Sequence, residues 1–293
     1  MTVPVDSLSL VRAWFQRAFI YVLLLGSAAF FLAPFWVMLV TSLKPLDQLS
    51  VSSIFAWPAH PSIRAWATAW SGACNGLICS GVAGGFVNSV AILVPSLVLS
   101  ILIGSLSGYS LTFFPSASTR SLSAILVLCA FLPYQVFTYP LVRLFSVLGI
   151  YDTLLCIILV HSVLGLPLTT LLFRGYFAEI PADIVRAAQI DGAGYWTTYT
   201  RVVAPAALPA FAVVAILQAT GIWNDFYFGL VFAGPDNLPM TVQLNNIVNT
   251  TTGYRDYPVD MAATLLTSLV PLTICVLSGK WFVRALTAGA VKG

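Results

Sequence analysis

Polar and ionisable side chains are scarce inside the apolar stretches of this 293-residue chain, so the few found there are where chemistry could occur. The densest group is Trp223-Asn224-Asp225, preceded by Gln218. An indole can stack on the apolar face of a pyranose while an amide and a carboxylate exchange hydrogen bonds with hydroxyls. The competing reading is a helix-end cluster that only packs against its neighbours. Gln135 follows Leu132-Pro133-Tyr134, where a proline-broken helix could line a cavity or simply form an inter-helix hydrogen bond. His161 has no acidic neighbour within its own apolar stretch, which favours a bonded structural histidine over a proton relay. Cys74 and Cys79 flank a glycine-rich turn and could pair in an oxidising compartment. A zinc site there would want a histidine cluster, and none accompanies them. Cys129, Cys156 and Cys275 fall within apolar runs and read as small core residues. No phosphate-binding Gly-x-x-x-x-Gly-Lys-Ser/Thr run, nucleophile elbow or His-Glu-x-x-His pair occurs. The chain is therefore expected to have no catalytic residues, no metal site and no cofactor of its own.

The elements that must position these residues follow from composition. A chain that is 59% hydrophobic and 8% charged, with mean hydropathy +0.94, cannot bury its apolar side chains in one water-soluble core. Crossing about 30 Å of hydrocarbon takes about 20 apolar residues as helix. Six such runs occur, at 17–41, 82–110, 122–144, 151–173, 207–232 and 259–286. The first is too long for a signal peptide and no small-residue cleavage site follows it, so it reads as a retained helix. The expected fold is an all-α membrane protein of six transmembrane helices in one domain, 1–293, with no soluble domain. With the N-terminus inside, nine of the thirteen basic residues face the cytoplasm: Arg12, Arg17, Arg120, Arg174, Arg186, Arg201, Lys280, Arg284 and Lys292. Lys44, Arg64, Arg143 and Arg255 fall outside, a bias that puts both termini in the cytoplasm. Asp225 then lies roughly 27 Å from the inner face, near the outer mouth. Trp57, Trp66 and Trp70 in the first outer loop suit a headgroup anchor or a docking surface, and the second outer loop, 233–260, carries Asn245, Asn246, Asn249, Thr250, Thr251 and Thr252. The net charge of +3 reflects topology, and no basic run points to nucleic acid.

Between the fourth and fifth runs lies a polar segment. Pro181 suits a first helical turn, Asp183 places an anion at the positive end of that helix, and Gly192 can take the left-handed conformation that stops it. Ile184, Ala187 and Ala188 share one face of the first helix, and Tyr195, Tyr199 and Val202 one face of the second. Two short helices meeting at a glycine, with small residues at the tip, would fit a partner's groove; the alternative is an amphipathic loop on lipid headgroups.

Ala187, Ala188, Asp191, Gly192, Ala193, Tyr199 and Pro205 resemble the EAA loop of binding-protein-dependent ABC importers, with Arg186 where the loop has its namesake glutamate, so the charge is reversed. Thr41-Ser42-Leu43-Lys44-Pro45, Asn88-Ser89, Trp223-Asn224-Asp225-Phe226 and the ending Leu286 to Gly293 extend the likeness over almost the whole chain. They resemble the second permease subunit of carbohydrate-uptake importers of the maltose-transporter type. The Cys74/Cys79 loop, Asn224 to Phe228, Val-Arg186-Ala-Ala and Pro239 to Asn246 are similar to the glucose/mannose branch. The resemblance implies a permease of the bacterial inner membrane with an N-terminal cytoplasmic segment 1–16, an ATPase-coupling loop 174–206 carrying Arg186 to Ala193, and a tail 287–293 directed at the ATPase interface. It implies as partners a second permease subunit, an ATPase dimer that holds ATP and Mg, a periplasmic or extracellular sugar-binding protein, and membrane lipid. The competing class is an ion-gradient-driven secondary transporter or channel subunit, which would favour ionisable relays in the spans; Asp225 is the main one here. A third reading is an assembly subunit with no pathway of its own.

Overall fold

The computed structural model describes the backbone at 7–50, 52–75, 78–249 and 255–290, with side chains between 14 and 279 except at 51, 75–78 and 250–254. Thr250 to Thr252 and the last three residues of the tail lie outside the described residues. The fold is built almost entirely from helix. Helix α1 (Ser7–Ser42) is followed by a short α2 (Leu46–Leu49) and α3 (Arg64–Ser71), then a hairpin of two-residue strands, β1 (Cys74–Asn75) and β2 (Ile78–Cys79). Helix α4 (Ala83–Phe113) leads to α5 (Ala117–Phe131) and α6 (Thr138–Val147), with α7 (Leu154–Phe177) next. The polar segment holds α8 (Ala182–Ile190), α9 (Tyr195–Thr198) and α10 (Ala204–Ala206). Helices α11 (Leu208–Asn224), α12 (Tyr227–Phe232), α13 (Met240–Val248) and α14 (Tyr257–Ala290) complete the chain.

Among the described residues four helices are long and apolar enough to cross a membrane, and up to six spans result if each of two bent pairs counts as one. The first bend falls in the run at 122–144, beside the proline expected to break it, and the second joins Tyr195–Ala206 to Leu208–Asn224 at 78°, at the start of the run at 207–232. In the first, α5 and the segment from Tyr134 to Val147 meet at 105°. Pro133 offers no amide hydrogen and pushes Leu132 to extended backbone, φ −74° and ψ 135°, which ends α5. Beyond that second bend, α11 stops at Asn224 because Asp225 is extended, φ −66° and ψ 131°, and a separate α12 follows, so the run at 207–232 is two helices. Helix α1 begins at Ser7, ahead of the apolar run expected at 17–41. Residues 174–177, expected in the loop, belong to α7.

Lipid tails are as apolar as leucine, so close backbone approach, rather than a hydrophobic drive, has to hold such helices together. The buried edge of α4 supplies it: Ser96, Ser100, Gly104 and Gly108 recur at four-residue spacing against α7. A Cβ at Gly104 would run into Thr169. Hydroxyls on this edge bond across or along the helices: Ser96 Oγ donates to Ile158 O at 3.4 Å and Thr169 Oγ1 to Ser100 O at 3.4 Å. At the other end of α4, Ser89 Oγ accepts from Met240 N at 2.8 Å and Asn88 Nδ2 donates to Leu238 O at 3.1 Å, which docks the segment ahead of α13.

Candidate functional site

Two places gather the functional candidates. The first is a cavity of about 700 Å³ between the α5–α6 break, α7, α11 and α12. Tyr134, His161, Gln218, Asn224, Asp225 and Tyr227 are among its walls. Asn224 and Asp225 end α11, and His161 stands seven residues, about 10 Å, inside the start of α7, so the cavity opens toward that end of the bundle. Asp225 Oδ2 accepts the Gly229 amide at 3.0 Å and so anchors the beginning of α12, while its backbone oxygen accepts Thr241 Oγ1 at 2.6 Å. The same carboxylate oxygen lies 3.7 Å from His161 Nε2. His161 has no acid in its own span, but the fold brings one in from a helix 64 residues later. Gln218 Nε2 donates to Ser100 Oγ at 3.3 Å. Its approach to α7 needs Gly165, where a Cβ would strike the Gln218 carboxamide.

Trp223 is the main correction here. It is 2% exposed, donates its indole N–H to Thr267 O at 3.0 Å, and packs edge-on against Phe86. Its ring belongs to the core between α4 and α14 and lies outside the cavity walls, because successive helical residues point about 100° apart and Asn224 takes the cavity side. Gln135 is a second correction. It sits exposed in the turn after Pro133, and its neighbour Tyr134 enters the cavity instead. The aromatic faces available to a ligand are therefore Tyr134 and Tyr227, whose rings lie 5.7 Å apart, with the Tyr227 hydroxyl bonded to Thr138 Oγ1 at 2.9 Å. Sequence reasoning missed both tyrosines; the proline break beside Tyr134 was the usable signal. Amide, carboxylate, imidazole and phenol groups around one space suit a polyhydroxylated solute, which needs donors and acceptors together with aromatic stacking faces.

The second place is the elbow. Helix α8 ends in paired bonds from Gly192 N to Gln189 O at 3.1 Å and from Ala193 N to Ala188 O at 2.9 Å, the Schellman arrangement, with Gly192 at φ +86°. From α9 the chain runs through a π turn, Tyr199–Val203, and α10, then bends 78° into α11. The back of the elbow is fixed to α4. Tyr199 OH meets Ser105 Oγ at 2.7 Å, Tyr195 OH meets Ser110 Oγ at 2.8 Å, and the Tyr109 ring packs at a tilt against Tyr195 at 4.9 Å and Tyr199 at 5.3 Å. Each of the two helices turns one apolar residue inward. Val185 is the buried residue of α8 while Ile184 is exposed, and Val203 rather than Val202 is buried beside Tyr199. The outward side carries Arg186, Ala187, Asp191 and Gly192, with Ala188 and Ala193 half-buried at the joint. Arg186 lies 3.4 Å from Asp183 as an exposed pair, so part of its charge is met within α8. Ile184, Ile190 and Trp196 are 51%, 86% and 63% exposed on this unit.

Cys74 and Cys79 are joined in a disulfide across the β1–β2 hairpin, directly opposite each other. Among the described residues no three His, Cys, Asp or Glu side chains converge as a metal ion would require.

Residues 100–291 match the family model described as the binding-protein-dependent transport system inner membrane component. A probable ABC transporter permease of Pyrococcus horikoshii is 42% identical over 60% of this chain, which spans 63% of that protein's length. The osmoprotective compounds uptake permease GgtD of Synechocystis is 31% identical over 95% of this chain and 93% of its own length. The alpha-glucoside transport system permease AglG of Rhizobium meliloti is 34% identical over 74% of this chain and 58% of its own. In shape, the chain is similar to one in the crystal structure of a bacterial ABC transporter that imports the acidic polysaccharide alginate, with TM-score 0.78, 19% identity and coverage of 95% and 99%.

Proposed function

The chain belongs to the binding-protein-dependent transport system inner membrane components, and from that premise we propose that it is one permease of an ATP-driven sugar importer. As a member of that family it is a non-catalytic membrane subunit, and ATP hydrolysis falls to a separate ATPase. The sugar class is supported by the alpha-glucoside relative and the alginate importer, and by the hydrogen-bonding and aromatic walls of the cavity. Within that class the reading is glucose, mannose or a related small sugar, carried by the sequence likeness alone. The chain forms half of the pathway beside a second permease, crosses the inner membrane six times as a single unit, and keeps both termini in the cytoplasm. A sugar-loaded binding protein meets its outer loops.

The observation that carries the coupling role is the elbow, tied behind by tyrosines and open in front. Exposed isoleucine and tryptophan on a short rigid unit leave apolar surface that a protein cleft would cover. In this reading Arg186 to Ala193 seat in the ATPase, and closure of the ATPases around ATP pushes the elbow. The force passes through Tyr195 and Tyr199 into α4 and through the 78° bend into α11, whose far end carries Asn224 and Asp225 at the cavity. The pathway opens outward on ATP binding and inward after hydrolysis.

The test is a reconstituted complex carrying Gly192→Pro or Ala188→Trp. Proline cannot take φ +86°, and a bulky side chain at Ala188 blocks the joint. Both variants should remain in the membrane while uptake falls at least about tenfold relative to ATP hydrolysed. Uptake at the unmodified level in both would end the coupling assignment.

A further inference from the structure

At the end of the bundle that carries the elbow, a second, smaller cavity of about 200 Å³ lies between α4, α5 and α7. Its walls are Leu111, Pro115, Thr119, Arg120, Ser123 and Arg174. That space is several times the roughly 30 Å³ taken by one water. Two arginines line it, and both keep their charge at any physiological pH. Among the described residues no carboxylate lies within ion-pair distance of either one. Arg174 is held by Ser123 Oγ, and Arg120 Nε reaches only the Ser116 carbonyl of its own turn, at 3.4 Å. Both side chains are exposed and so partly screened by water, but two like charges without an acidic partner still make this space favourable to an anion. The first turn of α5 borders the same space, with its start fixed by the reciprocal Ser116–Thr119 bonds, and the positive end of that helix adds to the field.

Depth decides what anion is on hand. Arg174 is twenty residues from the start of α7, about 30 Å along the axis, or one hydrocarbon thickness. The pocket is thus at headgroup level on the elbow side. Phe114, Leu122 and Ile125, all 36% exposed or more, provide apolar surface around it on α5 and its approach. We propose that Arg120 and Arg174 form a binding site for a phosphate diester, supplied by the headgroup of an anionic phospholipid in the leaflet on the elbow side. The guanidinium forks take the phosphate oxygens, the Thr119 and Ser123 hydroxyls border the site, and the acyl chains run down the exposed face of α5. The site depends on the pocket itself and would stand if the coupling role of the elbow failed.

The test is native mass spectrometry and thermal melting of the purified complex, incubated with phosphatidylglycerol, with phosphatidylcholine, or with inorganic phosphate alone. The wild type should retain phosphatidylglycerol in preference to phosphatidylcholine and melt higher with it, and inorganic phosphate should give little protection. Each arginine removed should weaken retention about fivefold. Arg120→Gln is the safer variant, since this exposed side chain bonds only its own helical turn; the double variant Arg120→Gln/Arg174→Gln should lose the preference, and Arg120→Lys/Arg174→Lys should keep part of it. Equal retention of the two lipids by wild type and Arg120→Gln would overturn the proposal. So would protection by inorganic phosphate equal to that by phosphatidylglycerol, which would assign the pocket to a soluble anion.

Discussion

Replacing Asp225 by asparagine keeps an oxygen for the Gly229 amide and removes the charge that faces His161, whereas Asp225→Ala removes both. The alanine variant should lose about 1 kcal/mol of stability, as at other lost helix-start acceptors, and the asparagine variant much less. Thermal melting of the two in detergent separates the structural part of Asp225 from its charge. If asparagine is as damaging as alanine, the cap is not what matters there. At Trp223 the expected outcome runs the other way. Trp223→Phe should cost about 1 kcal/mol for the indole bond to Thr267 and leave sugar selectivity unchanged, while Asn224→Ala should alter it. Competition uptake with several sugars decides between them; altered selectivity in Trp223→Phe with none in Asn224→Ala would move the ligand to the other side of α11.

Among the elements, the elbow has two separable properties, its shape and its attachment. Gly192→Ala places a side chain at φ +86° in open space, so its cost is backbone strain alone, about 1–2 kcal/mol, with no clash. Tyr199→Phe leaves the shape intact and removes the bond to Ser105. If force passes through that tether, Tyr199→Phe should raise the ATP consumed per sugar imported severalfold while Gly192→Ala lowers thermal stability first. Unchanged stoichiometry in Tyr199→Phe would show that force does not pass through this hydrogen bond. The start and stop of α8 could be read from Pro181 and Gly192, because capping is local chemistry. The π turn at Tyr199–Val203 could not, since no residue in it is a marker for that geometry. The same holds for Val185 as the buried residue of α8, which depends on where α8 settles against its neighbours.

For the whole molecule, orientation is the property on which the functional reading turns. Cysteines placed at exposed sites, Gln189→Cys on the elbow and Ser53→Cys in the first loop, should react with a membrane-impermeant maleimide from opposite sides. In right-side-out vesicles only Ser53→Cys should label, and in inverted vesicles only Gln189→Cys. Labelling of Gln189→Cys from outside would remove the elbow from the reach of any ATPase.

Composition and run length were enough to establish a helical membrane protein and the approximate positions of its apolar helices, because the cost of placing polar backbone and charge in hydrocarbon is paid residue by residue along the chain. The elbow was legible for a similar reason, in that proline, glycine and small residues act on their own backbone. What only the tertiary structure decided was which side chains share a space. Trp223 and Asn224 are adjacent in sequence yet face a core and a cavity, His161 and Asp225 are far apart yet 3.7 Å from each other, and Arg120 joins Arg174 across two helices. These placements follow from helix rotation and from the close approach of α4 to α7, which are settled by packing between elements and leave no mark in any single stretch of the chain.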